Sequence, residues 1–215
     1  MKNKGIYQYF IELVIVIVGV TIAFWLNTRA ESIKENKTLK NYYAELRSDL
    51  EQDRKTISLI ITANEKKQQD MVSAMRLYQE EPVNGDSIFY YSQMVGNYYF
   101  FDPKDITYNS MINSGDLKLI NDPELKRLLV SLYDKYQTID YLQQNHLQAL
   151  DENYFPRYVL MVDYITGEVL QPLEEDILIK NYFAFSANEL GTHVEFYKSA
   201  LKVNQTLDSL ILKNF

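Results

Sequence analysis

From Leu13 to Leu26 the chain holds no charged side chain and a single hydroxyl, Thr21. As a helix rising about 1.5 Å per residue, this run is about 21 Å long, short of a hydrocarbon core of about 30 Å. Extended back to Ile6 it reaches about 31 Å and takes in Gln8 and Glu12. Tyr7 and Tyr9 at one end and Trp25 at the other stand where an aromatic belt belongs. A soluble core helix needs a polar face, and Leu13 to Phe24 offers none. A cleavable signal peptide would use Lys2 and Lys4 as its basic region. It also needs a small-x-small cleavage site, but the nearest candidate, Asn27-Thr28-Arg29-Ala30, contains a bulky Arg29 and follows Trp25. The expectation is an uncleaved transmembrane helix within residues 1–27, with a helical domain over 28–215.

Glu12 is the one carboxylate at the entrance. About one turn inside the span it lies near the interface, where the helix dipole and the basic tail favour it. The sharper alternative makes it an ion or assembly site inside an oligomer or facing a second membrane protein. Gly19 and Ala23 form a small-xxx-small pair, a weak signal for close helix packing, and Trp25 is a candidate interfacial anchor. Charges before and after the span nearly balance, since Glu31 and Glu35 dilute Arg29, Lys34, Lys37 and Lys40. That dilution favours a cytoplasmic tail and an exported domain.

The remainder is acidic: the chain has 29 Asp+Glu against 22 Lys+Arg. No basic face is implied, which speaks against a nucleic-acid partner. With no cysteine, disulfides, thiolate nucleophiles and cysteine-ligated metals drop out together. Only 7 Gly and 5 Pro punctuate 215 residues, too few for a many-stranded β fold. The expected class is all-α: a transmembrane helix, a long helical stalk and an antiparallel bundle.

Helical periodicity runs from about 31 to 78 through Leu39, Tyr43, Leu46, Leu50, Ile57, Ile60, Met71 and Met75. Asn64 and Lys67 interrupt the stripe, so a break there is compatible with the pattern. Pro82 and Asn84-Gly85 end the helix. Short helices follow within about 87–114, with Gly115 as a left-handed cap. Asp122-Pro123-Glu124 starts a second long helix over about 122–156, which Pro156 ends or kinks. Asp163 to Pro172 reads as an irregular connection with a turn at Thr166-Gly167. The C-terminal part, about 173–212, divides into a helix from Leu173 to Phe183 and a last one opened by a capping box, Ser186 to Glu189.

Chemistry is hard to find. His146 lies on an apolar stripe, where a core histidine is the favoured reading. Glu189 and His193 are four apart, whereas a di-iron bundle needs Glu-x-x-His twice, and Gln143 stands three before His146. No phosphate-cradling glycine loop or nucleophile elbow occurs. Neither catalysis nor a cofactor is expected. The aromatics Tyr90, Tyr91, Tyr98, Tyr99, Phe100 and Phe101 form either a ligand or partner groove or, the favoured alternative, a hydrophobic plug between long helices.

Two stretches resemble a bacterial family of small single-span membrane proteins of unknown function, frequent in the Bacteroidota. One is "IELVIVIVGVTIAFWLN" with the later "LRSDLEQD" at Leu46 to Asp53; the other is "MINSGDLKLINDPELKRLLVSLYD", Met111 to Asp134. The usual Gly before Glu12 is missing here. The resemblance implies a membrane-anchored helical domain and supplies no activity. The leading expectation is therefore a non-enzymatic interaction or scaffold protein of the bacterial inner membrane, its domain periplasmic. Its partners would be the lipid bilayer and a protein partner or a second copy of itself. The alternative is a membrane-anchored sensor or ligand-binding module built on the aromatic cluster.

Overall fold

A computed structural model describes the backbone from residue 4 to 214 and the side chains from Tyr7 to Asn214. The described residues are mostly helical, and among them there is no strand beyond one isolated antiparallel bridge, Val162 to Val169. Helix α1, Lys4–Leu77, runs unbroken for 74 residues, about 111 Å. From residue 7 to 37 every side chain is exposed, and burial begins in earnest at Tyr43. The same helix is thus an apolar rod, a polar neck and one leg of the bundle.

The bundle has four legs, up-down-up-down. Beyond α1, α2 (Gly85–Val95) turns back from the far end, its first turn capped by Asn84, which accepts from the Ser87 amide. The chain continues back toward the neck through a non-helical stretch, α3 (Ile106–Ser114) and a 3-10 turn, Asp116–Leu119. Gly115, at φ 74°, provides the left-handed cap that the sequence pattern requires. Helix α4, Pro123–Ala149, ascends from the Asp122 cap, whose carboxylate accepts from the amides of Glu124 and Leu125. Helix α6, Ile177–Asn214, descends antiparallel to α1. Its course is pinned by Arg47 and Arg54 on Asp208, by Asn204 donating to the Leu50 carbonyl, and by Lys198 on Glu65.

Two points left open by the sequence are settled, and one expectation is corrected. No break occurs at Asn64 and Lys67: α1 continues, and both residues point inward and are buried. Pro156 does not simply end the second long helix. A wider π turn, Leu150–Tyr154, follows α4 and leads into a last short helix, α5 (Phe155–Tyr158), whose first turn accommodates the proline. The C-terminal region is one helix, with Ser186 buried mid-helix and the real cap at Asp176, which accepts from Leu178 and Ile179. Phe183, Ala187 and Leu190 form one buried stripe, so continuing the helix through Ser186 buries more than breaking it there.

Two apolar cores result. The one nearer the neck gathers Tyr43, Leu46, Leu50, Met111, Leu125, Leu129, Tyr197 and Leu207; the distal one gathers Met71, Ile88, Leu150, Tyr154, Phe183 and Leu190. Leu46 and Leu50 from one of the quoted stretches, and Met111, Leu125 and Leu129 from the other, all belong to the first core.

Candidate functional site

Between the two cores lies a layer of buried polar side chains. Helix α1 contributes Asn64 and Lys67, α4 contributes Gln143 and His146, and α6 contributes Ser186 and His193, all at most 6% exposed. Its cause is the second leg. Residues 97–105 are not helical, so their backbone groups need partners elsewhere, and buried ones left unpaired would be costly. Gln143 accepts from the Phe101 amide at 2.6 Å and donates to the Phe101 carbonyl at 3.1 Å. Lys67 donates to the carbonyls of Val95, at 2.9 Å, and Asn97. Nearer the neck, Asp53 accepts from the Lys104 amide and the Tyr133 hydroxyl donates to the Lys104 carbonyl. Side chains from α1 and α4 thus replace the missing helical hydrogen bonds.

Some of the layer has no such duty. Tyr98 stacks on His146 with ring centroids 4.7 Å apart, and its hydroxyl lies 2.8 Å from His193 Nδ1. With the phenol as donor, the His193 ring hydrogen is on Nε2, 3.9 Å from a Glu189 oxygen and beyond hydrogen-bond reach. Both ring nitrogens of His146, both amide atoms of Asn64 and Ser186 Oγ are buried without a protein partner.

Burial, aided by the Lys67 and His193 charges, pushes His146 down to about 3. Burial and the Lys67 charge push His193 down to about 4. Burial also lowers Lys67 to about 8 and raises Asp53 to about 6. Both imidazoles are therefore neutral near pH 7. Lys67 also borders a groove of about 400 Å³ lined by Leu59, Met94, Asn97 and Tyr99. Among the described residues no three His, Cys, Asp or Glu side chains converge to hold a metal ion.

The aromatic residues singled out from the sequence separate. Tyr90 is exposed and meets Tyr91 edge-on, while Tyr91 packs on the distal core. Tyr98 joins the polar layer, with the exposed Phe100 edge-on at 5.0 Å. Tyr99 is exposed on the Lys67 groove, and Phe101 is buried against Tyr136 in the core nearer the neck. Of the membrane candidates, Glu12, Gly19, Ala23 and Trp25 all lie on the exposed rod. A Cβ at Gly19 would meet nothing within 4 Å, and the Arg29 guanidinium sits 5.3 Å over the Trp25 ring. Lys2 falls outside the described residues, as does the Lys4 side chain, so neither is placed relative to Glu12.

Sequence reasoning passed over Asn64, Lys67 and Gln143 as site residues. The available signal was a polar pair spaced three apart on an otherwise apolar stripe, twice: 64 and 67, 143 and 146. Comparison with protein families, with curated proteins and with solved structures finds no match for the chain.

Proposed function

We propose that this chain is a membrane-anchored helical module without catalytic activity, working through a protein partner or through self-association. The observation that carries the reading is α1, one unbroken helix whose fully exposed apolar part, long enough to cross a bilayer, continues into a leg of the bundle. Such a rod couples the position of the bundle to the membrane with no hinge between them. In this reading the apolar part lies in the bacterial inner membrane, Glu12 near its interface and the bundle in the periplasm. Membership of the single-span Bacteroidota-type family belongs to the same proposal.

The chain has no cysteine, so a single Glu80→Cys variant carries one label in the exposed distal turn. A membrane-impermeant maleimide should react in cells once the outer membrane is opened, and a bifunctional maleimide should give a discrete higher-mass adduct. Labelling only after full lysis would overturn the periplasmic placement. A chain that stays uncrosslinked in cells and monomeric in nanodiscs would count against the interaction role.

A further inference from the structure

The distal end of the bundle carries a pocket of about 470 Å³ between α2, the π turn with α5, and the loop after it. That volume is in the range of small-molecule sites, about 300–1,000 Å³. Its walls are aromatic: Phe89, Tyr154, Phe155, Tyr158 and Tyr164. Tyr154 stacks on Tyr158 at 5.3 Å, and Tyr164 stands edge-on to Tyr158 at 5.9 Å. Ser92, itself buried, fixes two of these rings. Its carbonyl accepts from the Tyr154 hydroxyl at 2.6 Å, and its hydroxyl lies 3.3 Å from that of Tyr158.

The backbone is shaped for the same purpose. The π turn ends at Tyr154, and such turns recur at functional sites. Phe155 packs so closely on Gly96 that a Cβ there would come within 2.8 Å of its ring. Opposite, the loop folds into a small hairpin through the Val162–Val169 bridge and Gly167, at φ 75°.

The lining contains one charged group, Asp163, and no Lys, Arg or His. Asp163 accepts from the amides of Ile165 and Thr166, which holds its carboxyl below the usual range and keeps it ionised. The surroundings reinforce that sign. Residues 78–97 carry three carboxylates and no cation, and residues 150–180 carry seven against Arg157 and Lys180 alone. A concave site with walls of one charge sign concentrates ligands of the opposite sign. Aromatic faces beside a single carboxylate suit an organic cation, which gains both cation–π attraction and apolar burial. No lining side chain offers an anion a cationic partner, and the Lys67 ammonium is already engaged by the carbonyls of Val95 and Asn97.

We infer that this distal pocket binds a small organic cation with an apolar body, an alkyl- or aryl-ammonium compound, held by Tyr158 and Tyr164 with Asp163 as counter-ion. This goes beyond the anchoring and interaction role and does not depend on it. The chain would then report or sequester such a compound at the end of the bundle farthest from the neck.

Three probes with similar bodies test the assignment: benzyltrimethylammonium, benzyl alcohol and phenylacetate, titrated calorimetrically into the full chain in dodecyl maltoside. The expected result is saturable binding of the ammonium at least tenfold tighter than the alcohol, with no binding of phenylacetate. Asp163→Asn, which keeps an acceptor for the turn amides, should bring ammonium and alcohol to similar affinity. Tyr164→Ala, at an exposed position, should weaken the ammonium about tenfold with the helical circular dichroism unchanged. Equal binding of alcohol and ammonium by the unsubstituted chain, no saturable ammonium binding at millimolar concentration, or an Asp163→Asn variant with its preference intact would each overturn it.

Discussion

His146 and His193 are kept neutral by burial, and that makes the bundle sensitive to acid. Their folded values, about 3 and about 4, lie below the ordinary value of 6.5. The unfolded chain therefore binds more protons than the folded one between these limits. Stability is full above pH 6.5 and declines as the pH falls toward 4, by about 1.4 kcal/mol per pH unit per histidine once the unfolded form is protonated. Asp53 works against this: raised to about 6, it takes up a proton in the folded state first and adds stability as the pH falls from 6 toward 3.8. Lys67, lowered to about 8, is charged in both states below pH 7 and leaves the acid limb unchanged. The three titrations combine to a net loss of roughly 2 kcal/mol between pH 6.5 and pH 5. Urea unfolding at the two pH values should show it, and His146→Leu should shrink the loss by about half or more. Because both His146 nitrogens are unpaired, that substitution should cost little at pH 7. An unchanged acid limb in His146→Leu would mean that the imidazole is not held as described.

At the scale of the element, α6 offers a direct contrast between two candidate starts. Were Ser186 a helix cap, its replacement by alanine would cost about 1 kcal/mol. In the continuous helix its hydroxyl is buried and unpaired, and alanine is the better helix former. Ser186→Ala should therefore leave stability unchanged or raise it. Asp176→Ala should lower it by about 1–2 kcal/mol, since Asp176 caps α6 and pairs with Arg157 at 2.6 Å. Denaturant midpoints of the two variants decide between the alternatives. The reverse order would restore two separate C-terminal helices.

For the whole molecule, the decisive feature is how α1 divides between two environments. Its first part shares no packing with the bundle, and its second is as buried as any leg. If the exposed part is solvated by lipid, lysines placed at its centre should expel it from the bilayer. Each costs about 2.5–3.5 kcal/mol at the middle of a span. The Val16→Lys, Val20→Lys double variant should move the chain from the carbonate-resistant membrane fraction into the soluble one. Retention of the double variant in the membrane would show that something other than this segment holds it there. The bundle itself, whose cores contain neither position, should keep its unfolding midpoint.

Residue order alone determined the all-α class, the apolar rod, the Asp122-Pro123 start of α4 and the left-handed turn at Gly115. Each of these depends on the period of a stripe or on the backbone preference of one or two neighbouring residues. The continuity of α6 and the course of α1 past Asn64 and Lys67 are different in kind. There the local pattern allows a break, and long-range packing decides against it. The polar layer is likewise a tertiary decision. Gln143 has no visible role until the non-helical backbone at Phe101 lies beside it, and Lys67 none until the carbonyls of Val95 and Asn97 arrive. The aromatic residues show the limit most sharply. Adjacency in sequence from Tyr98 to Phe101 sent neighbours to different surroundings, whereas Phe89, Tyr154, Tyr158 and Tyr164, scattered along the chain, were brought to one cavity. Neighbours on a non-helical connection need not share a face, and side chains on separate elements converge only once those elements have packed.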